Sequence, residues 1–557
     1  MVITETIKSN GRELKPGSYN LLSIDTIAEF NRIPRAELKL SDGSIANQNF
    51  ETLDGKDFLP GSLIEVFLKK EGDISTEEKV FGGVVINHEL ERSMQSSVLT
   101  IELSDVSVKM TTLRNNRLFN EKTDDKIIKE LIGQHVGLKI GEIEKTKLAH
   151  PQMVQYYASD WDFMLSRAEA NGLLVTAEAG ELSVVQPQLQ APALRCTFGI
   201  NLDDFNLKLN SRLQYKDITS FGLDTKNELL ALTKAKKGKD HTLGTVDYDA
   251  KELSSVRGAT EAQQIHAVPT DPLEMQSWSD AQVLKSRLSL VLGTVQIPGN
   301  GKIKVGQTLK LENVSRFNGA HIISGVRHSY TLKSGWSTHL QIGMDADWCS
   351  AKSDVIDTKA AGLLPGVNGL QIGMVQGHEE DSDHGFRVLV NIPAFKQGDK
   401  PAEVLAMYTS LDAGADHGIF FPPLKGDRVV VGFLNDDPRQ AIILGSMHSN
   451  KVPHKDKKKN KYKGIFTQSN YQLLFDEETE LITLSATDEN NANENKISID
   501  QKKMEINLED ANGNKILLNK EGITISSTGD CQIKADGDFG IDAKGKVKIK
   551  GKKVDLI

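Results

Sequence analysis

Residues 513–557 read GNKILLNKEGITISSTGDCQIKADGDFGIDAKGKVKIKGKKVDLI. Within them Leu517, Ile525, Ile533, Ile541, Ile549 and Ile557 recur at intervals of eight, and a second column two residues earlier runs Lys515, Ile523, Cys531, Phe539, Val547, Asp555. Gly529, Gly537 and Gly545 keep the same interval and are placed as turns. A period of eight fits neither the roughly 3.6 residues of a helical turn nor a heptad, whereas a short strand plus a glycine turn takes about eight. The stretch therefore reads as a β-repeat. One unit is too small to bury its apolar pair, and a lone meander of such strands leaves open edges. The expected remedy is several identical chains wound into one rod.

Working back from the repeat, YQLLFDEETELITLSAT (471–487) and KISID (496–500) carry a looser version of it, preceded by the lysine-dense connector KVPHKDKKKNKYK (451–463). Residues 371–447 contain five strand-like runs, IGMVQ, FRVLVNIP, AEVLAMYT, RVVVGFL and AIILGSM. Five short strands with glycine and proline turns suit a small closed barrel of the OB type better than a seven-stranded sandwich. Before a linker at about 350–366, ending LLPGVNG, short alternating runs dominate, among them Ala36–Leu40, Leu63–Leu68, Val80–Ile86, Ser97–Leu103 and Leu173–Val185. Two helices interrupt them. Thr123 is placed to cap the first, whose Ile127, Ile128, Leu131 and Ile132 share a face and which Gly133 ends. Ser159 and Asp162 form a capping box for the second, with Trp161, Met164, Leu165 and Ala168 at helical spacing and Asn171-Gly172 as its end.

The 557 residues are enough for three or four domains of roughly 150 residues each. A formal charge of −9 argues weakly against nucleic-acid binding, despite lysines concentrated at 451–463 and 544–553. Cys196, Cys349 and Cys531 are odd in number and outside metal-ligand spacing, so they read as small buried or semi-buried thiols. The N-terminus MVITETIKSNGRELKPG lacks a basic start and apolar core, and no run approaches the roughly 20 residues of a membrane helix. Synthesis and folding in the cytoplasm are expected.

The barrel carries the clearest family likeness. HGFRVLVNIP and FPPLKGDRVVVGFLNDDPRQAIILGSMHS place Pro423, Gly426, Asp427, Val429, Val431, Phe433, Asp437, Pro438 and Gly445 on a recurring pattern, and YYASDWDFMLSRAEANG (156–172) is similar to a second one. On these residues the chain resembles the VgrG proteins of type VI secretion and the related spikes of contractile phage tails and extracellular injection particles. It departs from them at AEVLAMYTSLDAG (402–414), where many members carry a tryptophan and an arginine, which points to a divergent branch.

The resemblance implies a mainly β fold in family order: a hub-like region at 1–365 with two barrel subdomains and helical inserts, an OB-fold barrel at 366–450, a connector at 451–464 and an intertwined trimeric β-helix needle at 465–557. It implies a homotrimeric puncturing spike that joins a hexameric Hcp-like tube to a PAAR-type tip protein, alongside baseplate proteins and effectors, and meets the target membrane transiently. Assembly into an injection particle and delivery outside the cell or into a target cell follow from the same likeness. The needle axis would be Leu517, Ile525, Ile533, Ile541, Ile549 and Ile557. At about 2 kcal/mol per buried isoleucine, five layers of three give a gross burial term of tens of kcal/mol before ordering costs. Val554, Leu556 and Ile557 would form an apolar platform for the cap, with residue 557 completing a layer.

Neither a catalytic nor a metal site nor a cofactor is expected. His378, Glu379, Asp381, Asp383 and His384 of QGHEEDSDHG (376–385) could offer ligands, but no partner motif of fixed spacing accompanies them, so a solvated loop is the better reading. His417, His448 and His454 are isolated, and no G-x-S-x-G elbow supports a hydrolase triad. The gap between barrel and needle is too short for a glycosidase, whose two carboxyls need a rigid scaffold. The connector lacks interleaved aromatics, which favours a solvated link over a nucleic-acid grip. The alternatives are a glycan- or peptidoglycan-acting spike enzyme using the acidic loop, and a static adhesin fibre.

Overall fold

The computed structural model describes residues 2–44, 47–72, 77–94, 96–224, 231–234, 250–258, 261–269, 271–353, 355, 364–381, 385–397, 399–448, 461–488 and 493–555. The chain divides into two units, Met1–Asp357 and Thr358–Ile557.

The first unit is built on one thirteen-stranded sheet. Its alternating strands turn one residue in two inward, and two separate cores form on it. One gathers Ile7, Ile24, Leu38, Ile64, Val66, Leu99 and Ile101, and the other Val295, Ile297, Leu309, Leu311, Ile323, Leu340 and Ile342. The strands Leu21–Glu29 and Gly319–Thr331 pair antiparallel from Ser23↔Thr331 to Glu29↔Gly325 and join the halves. The two cores share one sheet, because the halves are hydrogen-bonded across that seam.

A third core lies under the helices Asp124–Gly133 and Asp160–Ala170, where Ile127, Ile128, Leu131, Ile132, Met164 and Leu165 pack with Val175, Leu182 and Val184. Ser159 caps the second helix, its hydroxyl accepting from the Asp162 amide at 3.1 Å. Gly172 then leaves it at φ +68°, with the Ala281 backbone 3.4 Å from where a Cβ would stand. Thr123 is different from its expectation. It is the N-cap by position, but its hydroxyl makes no capping bond to the helix backbone and donates to the Asp125 carboxylate at 2.6 Å, a carboxylate that also accepts from the Thr146 amide.

A helix not foreseen, Pro272–Leu288, is as long as 17 residues. It opens on Asp271, whose carboxylate accepts from the Leu273 amide, with proline in its first turn. No helix among the described residues is long and apolar enough to cross a membrane.

In the second unit, five strands close a barrel: β1 Gln371–Asp381, β2 Gly385–Gln397, β3 Lys400–Tyr408, β4 Arg428–Phe433 and β5 Ala441–Met447. The pairing order is β1-β2-β3-β5-β4 and back to β1, with β3 and β5 parallel through Met407↔Ile442 and Tyr408↔Ile443. Closure removes both edges. Val375, Val388, Val390, Ile392, Ala406, Val429, Val431, Ala441 and Ile443 fill the interior.

The tail is a seven-stranded antiparallel meander: β6 Tyr462–Phe466, β7 Tyr471–Asp476, β8 Leu481–Thr487, β9 Glu494–Asp500, β10 Glu505–Glu509, β11 Lys515–Asn519 and β12 Gly522–Ser526. Strand therefore begins at Tyr462, inside the stretch read as connector; residues 451–460 lie outside the described residues, as do Leu556 and Ile557. No strand is assigned from 527 to 555, and every residue from Glu521 to Asp555 is exposed.

Candidate assembly face of the tail

Ladder register decides which side chains share a face of the meander. Ile482 pairs with Ile499 and Leu484 with Ile497; these pair on with Ile506 and Leu508, and those with Leu518 and Ile516. The last hairpin sets Ile516 against Ile525 and Leu518 against Ile523. Two apolar residues from each of β8 to β12 thus line one face, and all ten stand 37% to 71% exposed. With roughly half of each side chain open, these strands leave on the order of 1,000 Å² of apolar surface to solvent, above the roughly 300–600 Å² largest patch of an ordinary monomer. The opposite face is polar, with Thr483, Ser485 and Ser498 buried on it.

This register corrects the axial column at one position. Leu517 pairs with Thr524, on the polar face, while Ile525 lies on the apolar one. The physical reason is parity. A two-residue turn between Asn519 and Gly522 pairs odd with even numbers, so a step of eight across that hairpin moves a side chain to the other face.

Beyond Ser526 the octads do not form strands within one chain. The Asn514 side-chain carbonyl accepts from the Thr528 amide at 3.0 Å, and the segment leaves the sheet there. Ile533, Phe539, Ile541, Val547 and Ile549 are 56% to 70% exposed, and Val554 is 50% exposed. None of Gly529, Gly537 and Gly545 has positive φ, and a Cβ on any of them would meet nothing within 4 Å. Cys531 departs from the buried or semi-buried expectation and is exposed, because it lies in the segment without a ladder, whereas burial pushes the Cys196 thiol up to about 12 and the Cys349 thiol up to about 11.

The barrel motif residues hold turns and core. Gly426 sits at φ +93° and its amide donates to the Val375 carbonyl, while the Asp427 carboxylate accepts from the Leu424 amide at 2.8 Å. Val429 and Val431 are fully buried and Phe433 packs beside them. Asp437, ahead of Pro438, accepts from the Arg439 amide at 2.9 Å and guanidinium at 2.8 Å. Gly445 faces open space.

In the acidic loop His378 Nε2 lies 2.8 Å from the Pro423 carbonyl and its ring stacks on Phe386 at 5.2 Å. Glu379 is exposed; Asp383, His384 and the side chain of Asp381 lie outside the described residues. His417 is exposed beside the Ala415 carbonyl, His448 is exposed, and His454 is outside the described residues. Among the described residues no three His, Cys, Asp or Glu side chains gather as metal ligands.

The second motif, 156–172, serves buried charge. Asp160 accepts from Arg117, Asn115 and Gln155 at 2.8–3.0 Å, with His135 Nε2 at 2.8 Å. Arg167 donates to both oxygens of Asp124 at 2.7 and 3.0 Å, and Asn171 to one of them at 2.7 Å. Burial alone would raise the Asp124 carboxyl, but hydrogen bonds from His150, Arg167 and Asn171 and the guanidinium charge hold it well below the usual carboxylate range. Glu169 accepts from Lys285 at 2.9 Å and from the Cys349 amide at 2.7 Å. The Ser-Asp…Arg…Glu spacing thus pins the helix Asp160–Ala170 to the strands that carry Asn115, Arg117 and Gln155 and to the helices Asp124–Gly133 and Pro272–Leu288. Spacing alone did not reveal Asp124, His150 or Lys285 as partners, because they lie far off in sequence.

Residues 1–331 match the family described as the Alg8 N-terminal domain, and residues 371–448 match the type VI secretion system/phage-baseplate injector OB domain. No curated protein matches the chain. Among solved structures, the 43 kDa tail protein of prophage MuSo2 from Shewanella oneidensis is 10% identical, with TM-score 0.46, covering 62% of this chain and 99% of its own. An Escherichia coli type VI secretion component is 12% identical, TM-score 0.39, covering 79% and 99%. A Francisella PdpA-VgrG complex in its lidded form is 11% identical, TM-score 0.42, covering 91% and 80%. The chain belongs to the Alg8 N-terminal domain family, and its closed five-stranded barrel is a type VI secretion system/phage-baseplate injector OB domain.

Proposed function

We propose that three copies of this chain form the puncturing spike of a contractile injection machine. The observation that carries this reading is the open apolar face of β8–β12 running into 527–555, a segment with apolar residues at alternate positions and no ladder within the chain. An exposed strand whose amides and carbonyls lack partners is a template for another chain. Intertwining three copies supplies both the hydrogen bonds and the cover for Ile525, Ile533, Ile541 and Ile549, with Ile557 continuing the column. Gly529, Gly537 and Gly545 are then turns that need other copies close by.

At the other end of the chain we read the two cores on one sheet as the duplicated hub that the resemblance implies, so that three copies would offer six surfaces. That number meets a hexameric Hcp-like tube ring, since a three-fold spike on a six-fold ring needs internal duplication. Val554, Leu556 and Ile557 form an apolar platform for a PAAR-type cap, and baseplate proteins and effectors load around the hub. The chain does no chemistry. Sheath contraction supplies the work, and the rod carries it across the target membrane because load is shared by intertwined strands.

The test is the mass in solution of the full chain and of a chain truncated after Ser449. A trimer that falls to monomer on truncation is expected; a monomeric full chain refutes the reading.

A further inference from the structure

The segment 527–555 separates its charges by position in a way that rod formation does not require. From 527 to 552 its large apolar residues, Ile533, Phe539, Ile541, Val547 and Ile549, are all at odd numbers, so extended backbone turns the even positions the other way. Those even positions pass from a mainly acidic band to a wholly basic one. Asp530, Asp536, Asp538 and Asp542, with Lys534 among them, are followed by Lys544, Lys546, Lys548, Lys550 and Lys552 without an acid between. All of these residues are exposed. Within the basic stretch the described ion pair is Lys553 to Asp555 at 2.8 Å, which involves none of the five.

A solvated rod needs charge of either sign, and mixed signs serve it best, because like charges stacked side by side repel. Three copies in register would place each band against itself and triple it. The repulsion is offset only where something of opposite charge meets the basic band. Compact ammonium groups on flexible stems, with no interleaved aromatic to stack on bases, suit a fluid array of phosphates better than a nucleic acid. We infer that the band Lys544–Lys552 docks on the anionic phosphate headgroups of a membrane, with the aspartate band beside it kept off that surface. This rests on the trimeric spike reading, which sets the three-fold density of charge. Attraction of this kind acts within a Debye length of about 8 Å at physiological salt, so it operates on contact and lets go when the rod withdraws or salt rises.

The test uses the full chain, with its mass in solution measured on the same sample. It is sedimented with vesicles of phosphatidylcholine alone and of phosphatidylcholine mixed with phosphatidylglycerol. Two variants are compared: K546Q/K548Q/K550Q/K552Q and the charge-preserving K546R/K548R/K550R/K552R. The wild type and the arginine variant are expected to sediment with the anionic vesicles only and to be released by sodium chloride. Partition of the glutamine variant should fall by more than about tenfold, at unchanged oligomer mass. Sodium phosphate at matched ionic strength should release no more than the chloride does, which separates a lipid surface from a site for free phosphate. Equal sedimentation with neutral vesicles, full binding by the glutamine variant, selective release by phosphate, or tighter binding to duplex DNA than to vesicles each overturns the inference. A monomeric mass refutes the trimeric spike instead, and a trimer that ignores anionic vesicles refutes only the docking band.

Discussion

The last hairpin of the meander offers a test in which neighbouring residues must behave in opposite ways. Ile516 and Ile525 face each other on the apolar side, while Leu517 and Thr524 face each other on the polar side. Ile516 is 37% exposed and Ile525 63%, so covering both removes about one whole isoleucine side chain from water per copy. At about 2 kcal/mol per fully buried isoleucine, that is on the order of 2 kcal/mol per copy and three times as much per trimer. In I516D/I525D this gain disappears, and each carboxylate left unpaired in the interface costs a further 3–5 kcal/mol or so. L517D/T524D puts the same charges on the polar face and should cost no more than about 1 kcal/mol per copy. Light scattering and resistance to SDS at raised temperature read the outcome. The first variant should lose both trimer mass and SDS resistance while the barrel and the first unit stay folded, and the second should keep both. Equal effects from the two variants would refute the register argument, and an unaltered trimer in the first would refute the apolar face as interface.

Three further outcomes follow from the first unit and the barrel. Arg167→Met leaves Asp124 buried without its guanidinium and should destabilise the first unit by about 3–5 kcal/mol. Since the folded Asp124 carboxyl lies below its unfolded 3.8, its stabilisation is complete above that pH and is lost as pH falls below it. Thermal unfolding of the wild type should show that acid loss, and the variant should show less of it. Burial, with Lys304 and His339 nearby, pushes the His328 imidazole down to about 3 from 6.5. The unfolded chain therefore takes up this proton first, and stability should fall by up to roughly 1.4 kcal/mol per unit as pH drops from 6.5 toward 3. His328→Gln should flatten that slope in a pH series of melting temperatures. Val431→Ala, at a fully buried barrel position, should lower the barrel's thermal transition by the equivalent of about 2–3 kcal/mol, with tail assembly unaltered.

Local chemistry made much of this architecture legible in the sequence. The barrel strands follow from alternation at 386–392 and 428–433, and the helix at 160–170 from its Ser159 box, because each signal is complete within a few residues. The helix Pro272–Leu288 escaped notice because it buries Ser279, Lys285 and Arg287 along with Met275 and Leu284, so no clean apolar stripe marks it. Its Asp271-Pro272 start was the available signal. The seam from Ser23 to Thr331 joins residues some three hundred apart, a pairing that no local pattern encodes. In the tail, counting by eights found the repeat yet placed Leu517 with Ile525. Which face a residue takes depends on the turn between them, and only the register of Asn519 against Gly522 supplies it.

The central claim is that backbone left without a ladder inside one chain is laddered by other copies. Amide hydrogen exchange across 527–555 in the full-length protein tests it most directly. Protection there as strong as in β8–β11, lost together with trimer mass in I516D/I525D, is the predicted result. Exchange at the rate of open chain throughout 527–555, in a sample whose barrel and first unit are protected, would contradict it.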